Sequence, residues 1–129
     1  MKTEWNEQFK IRIANPDESM LKHDVIKLII VRKLMLKYKK DRSFIHIYTE
    51  WDLGNNKIAD VYFEDTRKKI CYAFEIQKSL TKSWVDNTLS KYKDWENYGF
   101  NSSDLIIIPI KDSPDDLTQL NKWLDSYIF

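Results

Sequence analysis

Two acidic residues sit where negative charge is costly. Asp60 lies inside Ile58-Ala-Asp-Val-Tyr-Phe63, and Glu75 inside Tyr72-Ala-Phe-Glu-Ile-Gln-Lys-Ser79, two apolar strand-like runs joined by a polar turn. A carboxylate taken into a sheet needs a compensating cation, either a basic side chain or a metal ion. The spacing predicts that the two acids meet. A turn centred on the Arg67-Lys68 bond sets Asp65 opposite Ile70, Tyr62 opposite Ala73 and Asp60 opposite Glu75. Opposed side chains stand about 4.5–5.5 Å apart at Cβ and share a face. Like charges that close repel, and one divalent cation between them removes the conflict. The alternative is a salt-bridged pair held by nearby lysines.

Alternation along the second run puts Glu75 and Gln77 on one face, and Phe74, Ile76 and Tyr72 on the other. Asp60 followed by Glu75-Ile76-Gln77 resembles the PD-(D/E)xK nuclease superfamily, in the variant where glutamine stands in place of the usual lysine. The order of elements read below matches that superfamily across nearly the whole chain. Glu75-Ile-Gln-Lys-Ser79, with Lys91-Tyr92 and Tyr98-Gly99 beyond it, is also similar to competence-associated CoiA-like nucleases.

The resemblance implies an α/β chain with a restriction-endonuclease-like three-layer fold, a central mixed sheet flanked by helices. It implies Mg²⁺-dependent or Mn²⁺-dependent hydrolysis of DNA phosphodiester bonds, with Asp60, Glu75 and the backbone carbonyl of Ile76 as metal ligands. Gln77 would take the position of a lysine that orients water or stabilises transition-state charge. Glutamine carries no charge, so a cation must come from elsewhere. Lys78 faces away from the site unless its strand ends there, and Lys91 is the favoured substitute because the family sometimes moves its lysine to the following helix. Glu50 and Glu18 are further candidate carboxylates, Glu50 as an additional metal ligand, each with a structural alternative in solvation or helix capping. Tyr92 is either a phosphate contact or core. Small members of the superfamily, including Holliday-junction resolvases that cut branched DNA, are often dimers, which implies a homodimer here.

The elements that must position these residues are readable in outline. Asn15-Pro16-Asp17-Glu18 has the cap, proline and acid of a helix start, and the helix is expected to reach about Lys40. Leu21, Val25, Leu28, Ile29, Met35 and Leu36 are its expected buried stripe, with Lys22, Lys27, Lys33 and Lys37 on the polar side. Phe9–Ile13 is open between strand and helix. Residues 43–51 read as a strand, Asp52-Leu-Gly-Asn-Asn56 as a turn, and 57–63 and 70–77 as the next two strands. Thr81 is the expected cap of a helix ending near Gly99, with Trp84, Leu89 or Thr88, Tyr92 and Trp95 facing inward. The apolar run Asp104–Ile110 reads as a parallel strand covered on both faces. Ser113-Pro114 opens a last amphipathic helix through Leu117, Leu120, Trp123, Leu124 and Tyr127.

Composition narrows the function classes. A chain of 129 residues, 43% hydrophobic and 32% charged, fits one globular domain over residues 1–129. No apolar run approaches the roughly 18–20 residues of a membrane span. A lone Cys71 and an N-terminus without an apolar leader predict an intracellular, cytoplasmic setting. Cys71 has no His or Cys near it in sequence, His46 and His23 lack a ligand-spaced partner, and no glycine-rich phosphate loop exists. With a formal net charge of +1, a polyanion must be met by local clusters, of which there are two: Lys37–Arg42, and Arg67–Lys69 with Lys78 and Lys82 beyond. A charge run alone reads first as a solvated turn or helix end, and only a position beside the carboxylates would change that. The competing function is a catalytically inactive nuclease-fold module that binds nucleic acid or a protein partner.

Overall fold

Asp65 ends one strand and organises the turn to the next. Its Oδ1 accepts the N–H groups of Arg67 at 2.9 Å and Lys68 at 3.1 Å, and Lys69 closes the turn at φ 55°. That turn fixes the register: Asp65 pairs with Ile70 and Tyr62 with Ala73, as the spacing predicts. The computed structural model describes residues 9–13, 17–54, 57–78, 80–92 and 102–128. Its regular elements in chain order are β1 (Phe9–Lys10), α1 (Leu21–Lys37), β2 (Ile45–Asp52), β3 (Ile58–Asp65), β4 (Ile70–Gln77), α2 (Lys82–Lys91), β5 (Ser102–Pro109) and α3 (Leu117–Leu124).

The five strands form one mixed sheet in the order β1-β2-β3-β4-β5. β2, β3 and β4 are an antiparallel meander, with β1 parallel to β2 and β5 parallel to β4. Helices α1 and α3 cover one face, where Ile26, Ile30 and Leu34 of α1 and Leu120 and Leu124 of α3 pack on Ile47, Phe63, Phe74 and Ile108. The other face carries a smaller cluster in which Tyr92, at the end of α2, joins Tyr48, Tyr62 and Cys71. The chain is thus a three-layer α/β arrangement. Among the described residues, no helix is long and apolar enough to cross a membrane.

Helix α1 is turned relative to its expected stripe. Leu21, Leu28 and Leu36 are exposed, whereas His23, Ile26, Lys27, Ile30, Val31 and Leu34 are buried. Val25, Ile29 and Met35 flank that face and are partly buried. The reason is electrostatic: His23 and Lys27 face carboxylates of the sheet, and the apolar residues three and four positions on follow them inward. The helix also stops at Lys37, not Lys40, where Tyr38 leaves helical geometry and a 3-10 segment, Lys39–Phe44, leads into β2. The cap Asn15-Pro16 lies outside the described residues. Glu18 is exposed in a 3-10 turn, Glu18–Met20, that Asp17 opens without a side-chain cap.

The other elements follow their local chemistry. Gly54, at φ 86°, turns the chain between β2 and β3 and donates its N–H to Asp52 at 2.7 Å. Asn55 and Asn56 of that turn lie outside the described residues. Thr81 caps α2 by accepting the Trp84 N–H at 3.2 Å, and Thr88, not the exposed Leu89, is buried. Trp95, Tyr98 and Gly99 lie outside the described residues, as does Ser79. α3 is capped by Asp116, which accepts the Gln119 N–H at 3.0 Å, while Ser113 bonds back to the Ile110 carbonyl. β5 is an edge strand and alternates: Ile106 and Ile108 are buried, and Leu105 and Ile107 are half-buried. The expected double-sided cover is therefore single-sided among the described residues.

Candidate metal and phosphate site

The ladder between β3 and β4 runs from Asp65–Ile70 to Val61–Phe74 and stops one pair short of Asp60 and Glu75. β2 is irregular at the same level. Glu50 sits at φ 50°, a left-handed conformation that costs a residue with a Cβ about 1–2 kcal/mol. The β2–β3 pairing passes from Thr49–Val61 to Trp51–Ala59 without a Glu50–Asp60 pair. The sheet opens at this end. Asp60 uses the gap: its Oδ2 accepts the Ile76 N–H at 2.6 Å, and its Oδ1 lies 3.3 Å from His23 Nε2.

Glu75 is held from the opposite layer. The Tyr92 hydroxyl donates to its Oε1 at 2.7 Å. Burial, and then the charge of Asp60, push the Glu75 carboxyl up to about 7, against the opposing influence of the Tyr92 bond and the Lys91 charge. Burial and Glu75 together raise the Tyr92 hydroxyl, which keeps it a donor. Asp60 and Glu75 line one cavity of about 410 Å³ with Ile76, Gln77, Lys78, Lys22 and His23. The ladder does not include the direct Asp60–Glu75 pair expected from their spacing, but both acids line this one cavity.

His23 was not legible as a site residue in its lysine-rich context. It is buried, with Nδ1 3.3 Å from Asp24 and Nε2 facing Asp60. The bond to Asp60 raises its pKa above the ordinary histidine value, outweighing burial. A helical wheel in the other phase offers the signal: positions 23, 27, 30, 31 and 34 share one face. Lys27 extends this polar layer. It is fully buried and donates to Glu50 at 2.9 Å and to the Arg12 carbonyl at 2.8 Å, with Asp24 3.7 Å away. Glu50, expected as an additional metal ligand, is thus engaged by Lys27 and is not on the cavity wall.

The cation question also resolves in space. β4 ends at Gln77, and Lys78, which alternation alone turns away, lies on the cavity wall with Lys22. Lys22 is shared with Asp115 at 2.8 Å and the Ser113 carbonyl at 3.2 Å. Lys91 is not on the wall, but its charge acts on Glu75 from the α2 side. His46 bonds the Tyr48 hydroxyl at 3.0 Å, and Cys71 is buried.

Compared with known proteins, the chain matches no family model, no curated protein and no solved structure. Its chemistry rests on the cavity itself. Among the described residues, no three or more His, Cys, Asp or Glu side chains converge as a metal cage. The donors present are two carboxylates with an amide beside them, the hard oxygen set that Mg²⁺ takes while leaving its other positions to water and phosphate oxygens. Burial first, and then the Asp60 charge, raise the Glu75 carboxyl to about 7, and a divalent cation between the two acids would relieve the second of these.

Proposed function

We propose that this chain is a divalent-metal-dependent phosphodiesterase acting on DNA, with a PD-(D/E)xK-type site formed by Asp60 and Glu75-Ile76-Gln77. The observation that carries the reading is the common cavity of Asp60, Glu75 and Gln77, in which Glu75 is pushed up to about 7 by burial and by Asp60. Asp60 and Glu75, with the Ile76 carbonyl, would hold Mg²⁺ or Mn²⁺. The ion would supply Lewis-acid polarisation of the scissile phosphate. The chain's own groups do the positioning. The Ile76 N–H and His23 orient Asp60, and the Tyr92 hydroxyl orients Glu75. Gln77 offers an amide donor, and Lys78 and Lys22 offer positive charge to a phosphate entering the cavity. Lys91 supports Glu75 in its ionised form.

The test is cleavage of supercoiled, linear and branched DNA with Mg²⁺, with Mn²⁺ and with chelator, beside Glu75→Ala. Metal-dependent cleavage lost in the variant is the expected result. Absence of cleavage with either metal, on every substrate, overturns the enzyme reading. The same sample run by sedimentation tests the homodimer, and a monomer at cleavage concentrations counts against it.

One observation favours a second reading, a nuclease-fold module without catalysis. His23 already gives Asp60 a basic neighbour, with its pKa raised by that contact, and Gln77 brings none of a lysine's charge. That reading predicts no calorimetric heat of Mg²⁺ or Mn²⁺ binding, and no change in that result on Asp60→Ala.

A further inference from the structure

The two basic runs come together at the end of the sheet away from the cavity. The cavity lies where β3 begins and β4 ends, whereas the turn at residues 66–69 joins their other ends. Asp60 and Asp65 are separated by about 17 Å of extended strand. At that far end the Thr66 N–H and hydroxyl both donate to the Phe44 carbonyl, at 2.9 and 3.0 Å, and so dock the turn against the 3-10 segment after α1. Four exposed cations between Lys37 and Arg42 meet three between Arg67 and Lys69. Within residues 37–42 and 65–69 the acids are Asp41, 3.4 Å from Arg67, and Asp65, whose Oδ1 is bonded within the turn. These two segments together carry a formal charge of +5 in a chain of formal net charge +1, so the rest of the sequence is net negative.

We infer that this basic end is a docking surface for the phosphodiester backbone of duplex DNA, separate from the cavity. Charge complementarity names a polyanion. The two arginines narrow the choice: Arg67 lies over the Phe44 ring at 5.3 Å and Arg42 over the Phe9 ring at 5.8 Å. These cation–π contacts hold both guanidinium groups beside aromatic rings, and a guanidinium offers paired hydrogen bonds to phosphate oxygens. Cations on two segments of the surface match a row of phosphates better than a single bound anion. A lipid surface would take a broader apolar face than the exposed Leu36 and Phe44 beside these cations, and Phe44 lies beneath Arg67. The inference needs no metal and no cavity residue, so it stands or falls apart from the cleavage reading.

The experiment is a titration of the whole chain with labelled duplex DNA in chelator, across a range of salt. It is repeated with Lys39→Gln/Lys40→Gln/Lys69→Gln and with Lys111→Gln/Lys122→Gln, which lies elsewhere on the surface. The first variant should bind about tenfold or more weakly at low salt, and the slope of log affinity against log salt should fall by about 3. The second should match the wild type. No duplex binding by the wild type, an unchanged slope in the first variant, or preferential binding to anionic phosphatidylserine vesicles would each overturn the inference. Lysine acetylation of the wild type gives a readout free of folding defects: bound duplex should protect Lys39, Lys40 and Lys69 but not Lys111 or Lys122, and uniform protection would refute the assignment.

Discussion

Glu75 is the residue on which chemistry and stability pull in opposite directions. Its carboxyl is forced towards the neutral form by burial and by Asp60, while a metal-binding role needs the ionised form. Glu75→Gln keeps the shape and a partner for the Tyr92 hydroxyl but removes the conflict. It should therefore stabilise the metal-free protein at pH 8 by on the order of 1 kcal/mol in urea unfolding, while abolishing metal binding measured by calorimetry. At pH 5 the stability gain should vanish, because wild-type Glu75 is then already protonated. A variant less stable than wild type at pH 8 would show that the charge conflict is absent. The register of β3 on β4 was legible in the sequence as far as Val61 and Phe74, because a four-residue turn leaves one pairing. His23 was not, because its meaning depends on a carboxylate 37 positions away.

At the level of elements, the left-handed Glu50 lies where the β2–β3 pairing skips Asp60. It combines two effects, a strained backbone and an ion pair with Lys27, which substitution can separate. Glu50→Gly and Glu50→Ala both leave Lys27 without its carboxylate, but only glycine accepts φ 50° freely. Alanine should therefore be the less stable of the two by about 1 kcal/mol in chemical denaturation. Equal stability would mean that the strand relaxes to ordinary geometry once the ion pair is gone. This element also shows where sequence reading stops. β2, β3 and β4 were legible from β-branched and aromatic runs bounded by turn residues, and β4 has the bounds its pattern suggests. The phase of α1 was not. Leucines at 21, 28 and 36 drew the stripe outward, and burial of His23 and Lys27 by carboxylates of other strands overrode that pattern.

For the molecule as a whole, the cavity end should make stability depend on pH. The folded-state pKa of His23 is raised, so its contribution is fully present below the unfolded value and is lost as pH rises through the folded one. The raised carboxyl of Glu75 acts in the same direction, since the folded protein holds a proton that the unfolded chain has released. Stability of the metal-free protein should fall as pH rises from about 5 to above 7, read as a declining melting temperature. Saturating Mg²⁺ should flatten that decline by favouring ionised Glu75. A melting temperature that rises over this interval would contradict both shifts.

The segment after β1, whose Arg12 carbonyl accepts the Lys27 bond, has a kinetic side. Thr49 bonds the Arg12 carbonyl at 3.0 Å across 37 residues, whereas the meander of β2, β3 and β4 needs only neighbouring segments to meet. Contacts that close long loops cost more chain entropy and tend to form after local ones, so β1 should dock on the native side of the folding barrier. Thr49→Val should accordingly speed unfolding in stopped-flow measurements and leave the refolding rate nearly unchanged. The polar layer that steadies the cavity would then be the last part of the molecule to assemble and the first to come apart, so the lifetime of a competent site is set by the escape of one short strand.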